Sequence, residues 1–440
     1  PMAAKAHVLG QAFLGIEMKC ARCHDAPSHP FQQSDLFKVA AMLQRDGIKL
    51  PSSSSVPARA DGRLLTVDSS LSPGDIVSPD WPFGDLVSIE TAEQWAQDPS
   101  DARQRLASLI TAPDNARFAR VAVNRLWHRY VGWGFVEPVD DWTEKEVAQP
   151  ELLQLLAEEF VKNGYDLKQL AKLIFQSDIY HRQPVDNRAE MDRNRLTQPV
   201  RRRMTAEQIV DSLFVISGKA MDCEPLTLDP EGRRDSTTFL NLGSPVRSWQ
   251  LTGLSNERDR PALALPVAQS IVDALLAYGW RDARPNPLSV RDDAANVLQP
   301  MVLANGLVGN RTCRLSDNSE ITELCHRAAT PVELTEELFL RVLSRRPSLD
   351  EATPFVDLLT SEFTSRQTAE FKFDPFVSVH FSAVSWSNHL SAEATRIKMR
   401  LEQKAREGDP PTQSLDSDWR ERTEDAIWAL LNSPEFVFIP

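Results

Sequence analysis

The chain has 440 residues, enough for two to four domains with apolar cores of their own. Hydrophobic residues make up 42% and charged residues 25%, the balance of a folded globular protein. A net charge of −13 argues against nucleic acid as a partner, and no apolar run reaches the ~20 residues of a membrane-spanning helix.

The chain opens Pro1-Met2-Ala3-Ala4 inside a helical pattern. Val8, Leu9, Ala12, Phe13 and Ile16 form an apolar stripe at helical spacing, which predicts one helix over residues 3–23. No signal peptide precedes it, and the abrupt start is that expected of a mature protein or of a cut precursor. At the end of this helix stand Cys20-Ala21-Arg22-Cys23-His24, the pentapeptide to which a c-type haem is covalently attached. Two thiols at this spacing add across the two vinyl groups of one porphyrin, and the adjacent histidine lies under the iron as an axial ligand. The motif therefore predicts haem c as cofactor. It also predicts an exported protein, periplasmic or extracellular, because that attachment normally happens outside the cytoplasm. A redox dithiol would follow a strand rather than a helix, and a zinc site needs two further ligands. Cys223, Cys313 and Cys325 supply no second Cys-x-x-Cys. They are read either as buried free thiols or as one disulfide, Cys313 and Cys325 being the nearest pair.

The sixth iron ligand has several candidates. His29 is five residues past His24 and would have to wrap tightly to reach the opposite face. His7, 17 residues before His24 on the same predicted helix, would be about 25 Å away. Ser34 and Asp35 look like the N-cap of a second helix, residues 36–45, which carries Met42. Methionine commonly partners histidine in cytochromes c, so Met42 is the leading distal candidate, with core filler as its other reading. A segment preceding the chain, or an open sixth position, are the remaining options.

Residues 50–98 change character. The run Leu50-Pro51-Ser52-Ser53-Ser54-Ser55 is a loop, and Leu64-Leu65-Thr66-Val67 suggests a short strand, so this stretch reads as a connector with a small β element. Helices are predicted over 101–111, 115–131 (ended by Gly132), from Pro150, over 167–175 and over 205–217. Residues 222–300 are mixed, with candidate strands at 238–242 and 262–265. Helical patterning resumes near Ala294 and is interrupted around 405–417. The resulting fold class is mainly α. It comprises a short c-type-haem helical unit (1–49), the connector (50–98) and a large helical domain with minor β (99–440).

Several strings, taken in order, resemble one family arrangement. Phe13-Leu14-Gly15 and Cys20 to Asp25 are similar to the end of the planctomycete cytochrome-c-like domain. Asn115-Ala116-Arg117-Phe118-Ala119-Arg120-Val121, Asn124-Arg125-Leu126-Trp127 and Gly132-Trp133-Gly134-Phe135-Val136 resemble the planctomycete-specific domain of unknown function that follows it. Pro150 to Leu153, Leu167-Lys168, Ser177 to Tyr180, Arg202 to Glu207 and Ala429 to Phe436 continue the likeness. Ala26 stands where that family has a histidine, with His29 further on. Residues Asn256 to Pro266 match only loosely, and the N-terminal part of the cytochrome-like domain is missing. The resemblance implies an exported protein of planctomycete type and no settled activity.

Other polar clusters have bland readings beside the sharp ones. His128 and His181 are proton carriers near a haem edge or structural histidines. Arg201-Arg202-Arg203 grips an anionic partner or forms internal ion pairs. Asp140-Asp141 with Glu144 is a carboxylate pair or a solvated cap. Cys325-His326 has no partner at metal spacing, and no hydrolase, zinc-protease or phosphate-loop motif appears. The leading functional reading is an exported c-type haem protein that passes electrons to a redox partner or within a larger complex. The alternatives are an extracellular scaffold with structural or no haem, its ten tryptophans buried in interfaces, and a haem enzyme acting on a polymer or its breakdown products.

Overall fold

The computed structural model of the chain describes residues 2–26, 29–50, 68–143, 145–186, 195–196, 198–227, 241–251, 265–280, 296–376, 384 and 387–439. The fold is mainly helical, with three two-stranded antiparallel sheets among the described residues. The chain divides into two compact units, residues 1–201 and 202–440. This division falls inside the stretch 99–440 that the helical pattern suggests is one body.

In the first unit, α1 (Met2–Leu9) runs into a wide turn over Gly10–Leu14 and stops at Gly15, whose φ of 63° is left-handed. A Cβ at Gly15 would run into the Trp142 indole, and the Trp142 N–H donates to Gly15 O at 2.8 Å. The single helix predicted over 3–23 is therefore corrected: the chain reverses, and Met18 N–H donates to His7 Nδ1 at 3.3 Å. The estimate that put His7 about 25 Å from His24 assumed a straight helix and falls with it.

A short 3₁₀ turn, Cys20–Arg22, precedes α2 (Gln33–Gln44). Asp35 is not the N-cap but lies in the first turn, where its carboxylate takes the Gln32 N–H at 2.9 Å. Strands β1 (Ile48–Lys49) and β2 (Ile76–Val77) pair antiparallel, Ile48 opposite Val77. The candidate strand at 64–67 lies outside the described residues. Helix α3 (Glu90–Trp95) is followed by α4 (Ala102–Thr111), capped by Asp101, whose carboxylate accepts Arg103 N–H. One apolar cluster joins α1, α2, Trp81, Phe83 and α4, so residues 1–49 and the start of the expected large domain share a core.

Next come α5 (Ala116–Val131), α6 (Pro150–Lys162) and α7 (Leu167–Phe175). Asn115, 1% exposed, explains the first of the family strings. Its Oδ1 accepts from Arg117 N and Phe118 N, and its Nδ2 donates to Leu109 O and Ile110 O, so one amide closes α4 and opens α5. Asn124 does the same for the Gly-Trp-Gly loop: its Nδ2 donates to Val136 O at 2.9 Å and its Oδ1 accepts Val136 N–H at 3.2 Å. A Cβ at Gly134 would press on both Asn124 and Val136. Trp127, Trp133 and Phe135 pack together above this clip.

The second unit contains β3 (Arg202–Arg203), α8 (Ala206–Ser217), β4 (Leu226–Thr227) and β5 (Asn241–Gly243), then α9 (Pro266–Ala277). After these come α10 (Leu298–Asn305), α11 (Leu307–Cys313), α12 (Glu320–Arg327), α13 (Pro331–Leu343) and α14 (Leu349–Thr360). The last elements are α15 (Ala392–Glu407), α16 (Ser417–Leu431) and β6 (Phe438–Ile439), which pairs with β3. Thr205 caps α8 and Ser348 caps α14 through hydrogen bonds to the third residue's N–H. The candidate strand at 238–242 is borne by β5 only in part, and the one at 262–265 lies almost entirely outside the described residues. The helical pattern expected from 294 onward is broken between α14 and α15 as well as at 408–416. The core of this unit gathers α8, α9, α11 to α14 and α16 around the fully buried Trp419. Arg366 lies inside it, its guanidinium 3.8 Å above the Phe363 ring and donating to Cys325 O, Phe363 O and Ala328 O.

Gly15→Ala must take a left-handed backbone and displace Trp142. We expect a loss of roughly 2–3 kcal/mol in urea unfolding, and an unchanged midpoint would show that the reversal does not depend on Gly15.

Candidate functional site

The Cys-x-x-Cys-His pentapeptide forms one tight turn of the first unit. Cys23 N–H and His24 N–H both donate to Cys20 O, at 3.1 and 3.2 Å, so the two cysteines stand one turn apart at its ends. Both thiols are free and exposed, whereas Ala21 between them is buried against the core. His24 is half-buried, and its Nδ1 lies 2.7 Å from Asp25 O. A carbonyl oxygen only accepts, so Nδ1 carries the proton, and in the neutral ring Nε2 presents its lone pair. Asp25 anchors the turn from below: its N–H donates to Asp68 O, and its Oδ1 accepts from Gln33 N and Ser70 Oγ, each at 2.7 Å. Two exposed thiols and an imidazole held at Nδ1 by a carbonyl are the donor types that thioether attachment with imidazole ligation uses.

The other candidates fall elsewhere. Met42 is on α2, which packs beside the turn, but its side chain is wholly buried in the apolar cluster with Leu36, Val39 and Leu106. Cys20, Cys23 and His24 share the turn, and the Met42 thioether is enclosed in the neighbouring cluster. His7 is buried and spent as an acceptor. Burial pushes its pKa down against the opposing pull of Glu17, whose carboxylate is 3.7 Å from Nε2. His29 faces Asp141 at 3.9 Å, and Asp140 pairs with Arg125 at 2.6 Å. Asp141 also takes Thr143 N–H, so the two aspartates serve as ion-pair and cap groups, while Glu144 lies outside the described residues.

His128 is half-buried on α5, and exposed His181 lies near Ser177 O. Arg201 pairs with Asp186 at 3.0 Å, and Arg203 lies over the Tyr278 ring. His326 stacks on Phe371 and meets Ser414 Oγ at 2.9 Å, a structural role. Cys313 and Cys325 are separate buried thiols, so the disulfide reading is replaced by the free-thiol one. Among the described residues, no group of three or more His, Cys, Asp or Glu side chains converges at metal-binding distance. Among them, too, no helix is long and apolar enough to cross a membrane.

The molecule is thus a mainly helical, two-unit chain that presents one exposed Cys-x-x-Cys-His turn. It belongs to the PSD1 family, described as "Protein of unknown function (DUF1553)", whose model matches residues 102–359, more than half of the chain. A second model, PSCyt2, "Protein of unknown function (DUF1549)", matches residues 1–46 and so covers the turn. No curated protein and no solved structure matches. The order of the two families agrees with the resemblance read from the strings, and neither description carries an activity.

Two predictions follow from the thiols. In protein free of any modification, a thiol reagent should titrate Cys20 and Cys23 under native conditions and all five cysteines only after denaturation. A native count of three or more would contradict the burial of the other thiols. Burial also pushes Cys325 up to about 12 from an ordinary 9.0. Its contribution to stability is therefore intact below pH 9 and is lost as pH rises toward 12, because the unfolded chain ionises first. The stability difference between wild type and Cys325→Ala should shrink by about 2 kcal/mol between pH 9 and 11, measured by urea unfolding at each pH.

Proposed function

We propose that the Cys20–His24 turn holds a c-type haem through thioethers to Cys20 and Cys23. In this reading His24 Nε2 is the proximal ligand, and the protein exchanges electrons with a redox partner or within a larger assembly outside the cytoplasm. The observation that carries the reading is the contrast among the cysteines. The two in the pentapeptide are exposed on one turn, and the histidine beside them turns Nδ1 to the Asp25 carbonyl, which leaves Nε2 for a ligand. Cys20 and Cys23 would hold the group by addition of each thiol across one vinyl group, the thiol proton passing to the other vinyl carbon, so that no oxidant would be consumed. When bound, haem supplies a one-electron iron couple. The chain's own part is to orient the imidazole through the Asp25 carbonyl, to fix the turn through the Asp25 carboxylate, and to back it with the apolar cluster behind Ala21.

The test is the intact mass of protein expressed with export and a haem-attachment system. We expect the polypeptide plus one haem, a haem-stained band that survives denaturing electrophoresis, and loss of both in Cys20→Ala/Cys23→Ala. His24→Ala should keep the covalent mass and change the visible spectrum. Met42→Leu, nearly volume-conserving, should leave that spectrum as it is; a spectral shift to high spin would make Met42 the distal ligand after all. An apo mass with both thiols free, or an internal Cys20–Cys23 disulfide, would overturn the haem reading in favour of a bare or redox-active dithiol.

A further inference from the structure

One place in the first unit holds positive charge that no carboxylate meets. Arg117 and Arg120 stand one turn apart on α5. The Arg117 guanidinium lies over the Trp142 ring, 5.1 Å from its centroid, and among the described residues its nitrogens make no hydrogen bond and no ion pair. Burial and the like charge of Arg120 both push the Arg117 pKa down, and the carboxylate that opposes them, Asp85, is beyond ion-pair distance. Arg120 turns Nε and Nη2 to a neutral acceptor, Gln154 Oε1, the Nε bond being 2.8 Å. Other arginines of this unit are matched: Arg45, Arg125 and Arg201 meet Asp101, Asp140 and Asp186 at 3.0, 2.6 and 3.0 Å.

A ligand can reach the unmatched pair. Arg117 is half-buried, yet none of its guanidinium nitrogens is closed to solvent, and the same holds for Arg120 Nη1. Two guanidiniums against the distant Asp85 leave a surplus of one positive charge, which suits a monoanion. The planar fork of a guanidinium pairs best with a carboxylate.

Trp142 ties the pair to the Cys20–His24 turn. Its backbone N–H donates to Gly15 O at 2.8 Å, and the residue before it, Asp141, faces His29 at 3.9 Å. Gly15 is five residues before Cys20 and His29 five residues after His24. Each end of the turn therefore lies within about 18 Å of its tether. The chain leaves the Asp141–Trp142 step, presents the two thiols and returns to the same step. The vinyl and propionate edges of a haem are opposite each other, so a porphyrin attached at Cys20 and Cys23 extends its propionates away from the thiols.

We propose that Arg117 and Arg120 hold one propionate of the haem attached at Cys20 and Cys23, with Arg117 fixed over Trp142 as the fork that receives it. This assignment rests on the haem reading. Both arginines are positioning residues, and their charge favours ferrous over ferric iron. The test uses the full chain expressed with and without a haem-attachment system, loading being established first by intact mass. Phenylglyoxal, which adds to accessible guanidiniums, is then mapped by peptide mass. Arg117 and Arg120 should react in the unloaded chain and at least tenfold more slowly in the loaded one, while Arg346, 74% exposed, keeps its rate. Free propionate at about 1 mM, where a lone exposed ion pair is scarcely occupied, should not protect the unloaded chain. Arg117→Gln with Arg120→Gln should leave the haem mass unchanged and lower the reduction potential. Arg117→Lys with Arg120→Lys, which keeps both charges, should restore most of it, and thermal unfolding checks that each variant folds. Equal modification with and without haem, or an unchanged potential in the folded double Gln variant, would overturn the proposal and leave the haem attachment standing. Protection by free propionate that haem does not increase would make the pair a general carboxylate site and overturn it too. A chain that carries no covalent haem would remove the haem reading, and this assignment with it.

Discussion

The N-terminal part of the molecule depends on one residue without a side chain. Gly15 must be left-handed for the chain to reverse after α1, and the volume its Cβ would occupy belongs to Trp142. Once the chain has reversed, Met18 closes on His7 and Ala21 enters the core, and the Cys20–His24 turn comes to rest against α2. His7 shows which effect prevails there. Glu17 favours a charged imidazole, but removal from water outweighs it, so the ring stays a neutral acceptor for Met18 N–H. The turn is thus mounted on an apolar and mostly uncharged base, with its polar anchoring concentrated in Asp25.

Elsewhere the helices are tied by single polar side chains that work like extra backbone. Asn115 joins α4 to α5, and Asn124 clips the Gly-Trp-Gly loop. Lys219 joins the end of α8 to the end of α11. Burial of the Lys219 ammonium is only partly offset by three acceptors, which is why its pKa falls to about 8 even beside Asp409. A hydrocarbon of similar length would avoid that desolvation but would take this donor from Arg311 O and Arg314 O and leave Asp409 with Arg311 alone.

Much of the helical frame was readable in the chain because its signals are local. Asp101, Asn115 and Thr205 each sit at a cap, Pro150 opens α6, and Gly132 ends α5. The pentapeptide was readable for the same reason, since all its chemistry is contiguous. The broken first helix was not, because the partner that decides it, Trp142, lies far along the sequence and a glycine within an apolar stripe is locally tolerable. Met42 was ambiguous because a helix position that faces a cofactor and one that faces a core have the same period. The buried Lys219 cluster of the second unit had no signature at all: Lys219, Arg311 and Asp409 come from three distant segments and meet only through folding.

Arg366 carries a consequence for how the second unit moves. The last turn of α12 would ordinarily leave its carbonyls to water and fray. Here Cys325 O and Ala328 O, together with Phe363 O, converge on one guanidinium sandwiched near Phe363 and Trp419. Opening that helix end means pulling a cation out from between aromatic rings rather than exchanging one water for another. Amide protons in the last turn of α12 should therefore exchange with deuterium on the timescale of the central helices, not on that of a terminus. A stretch that secondary structure alone would rank among the most labile is here tied to the aromatic core of the unit.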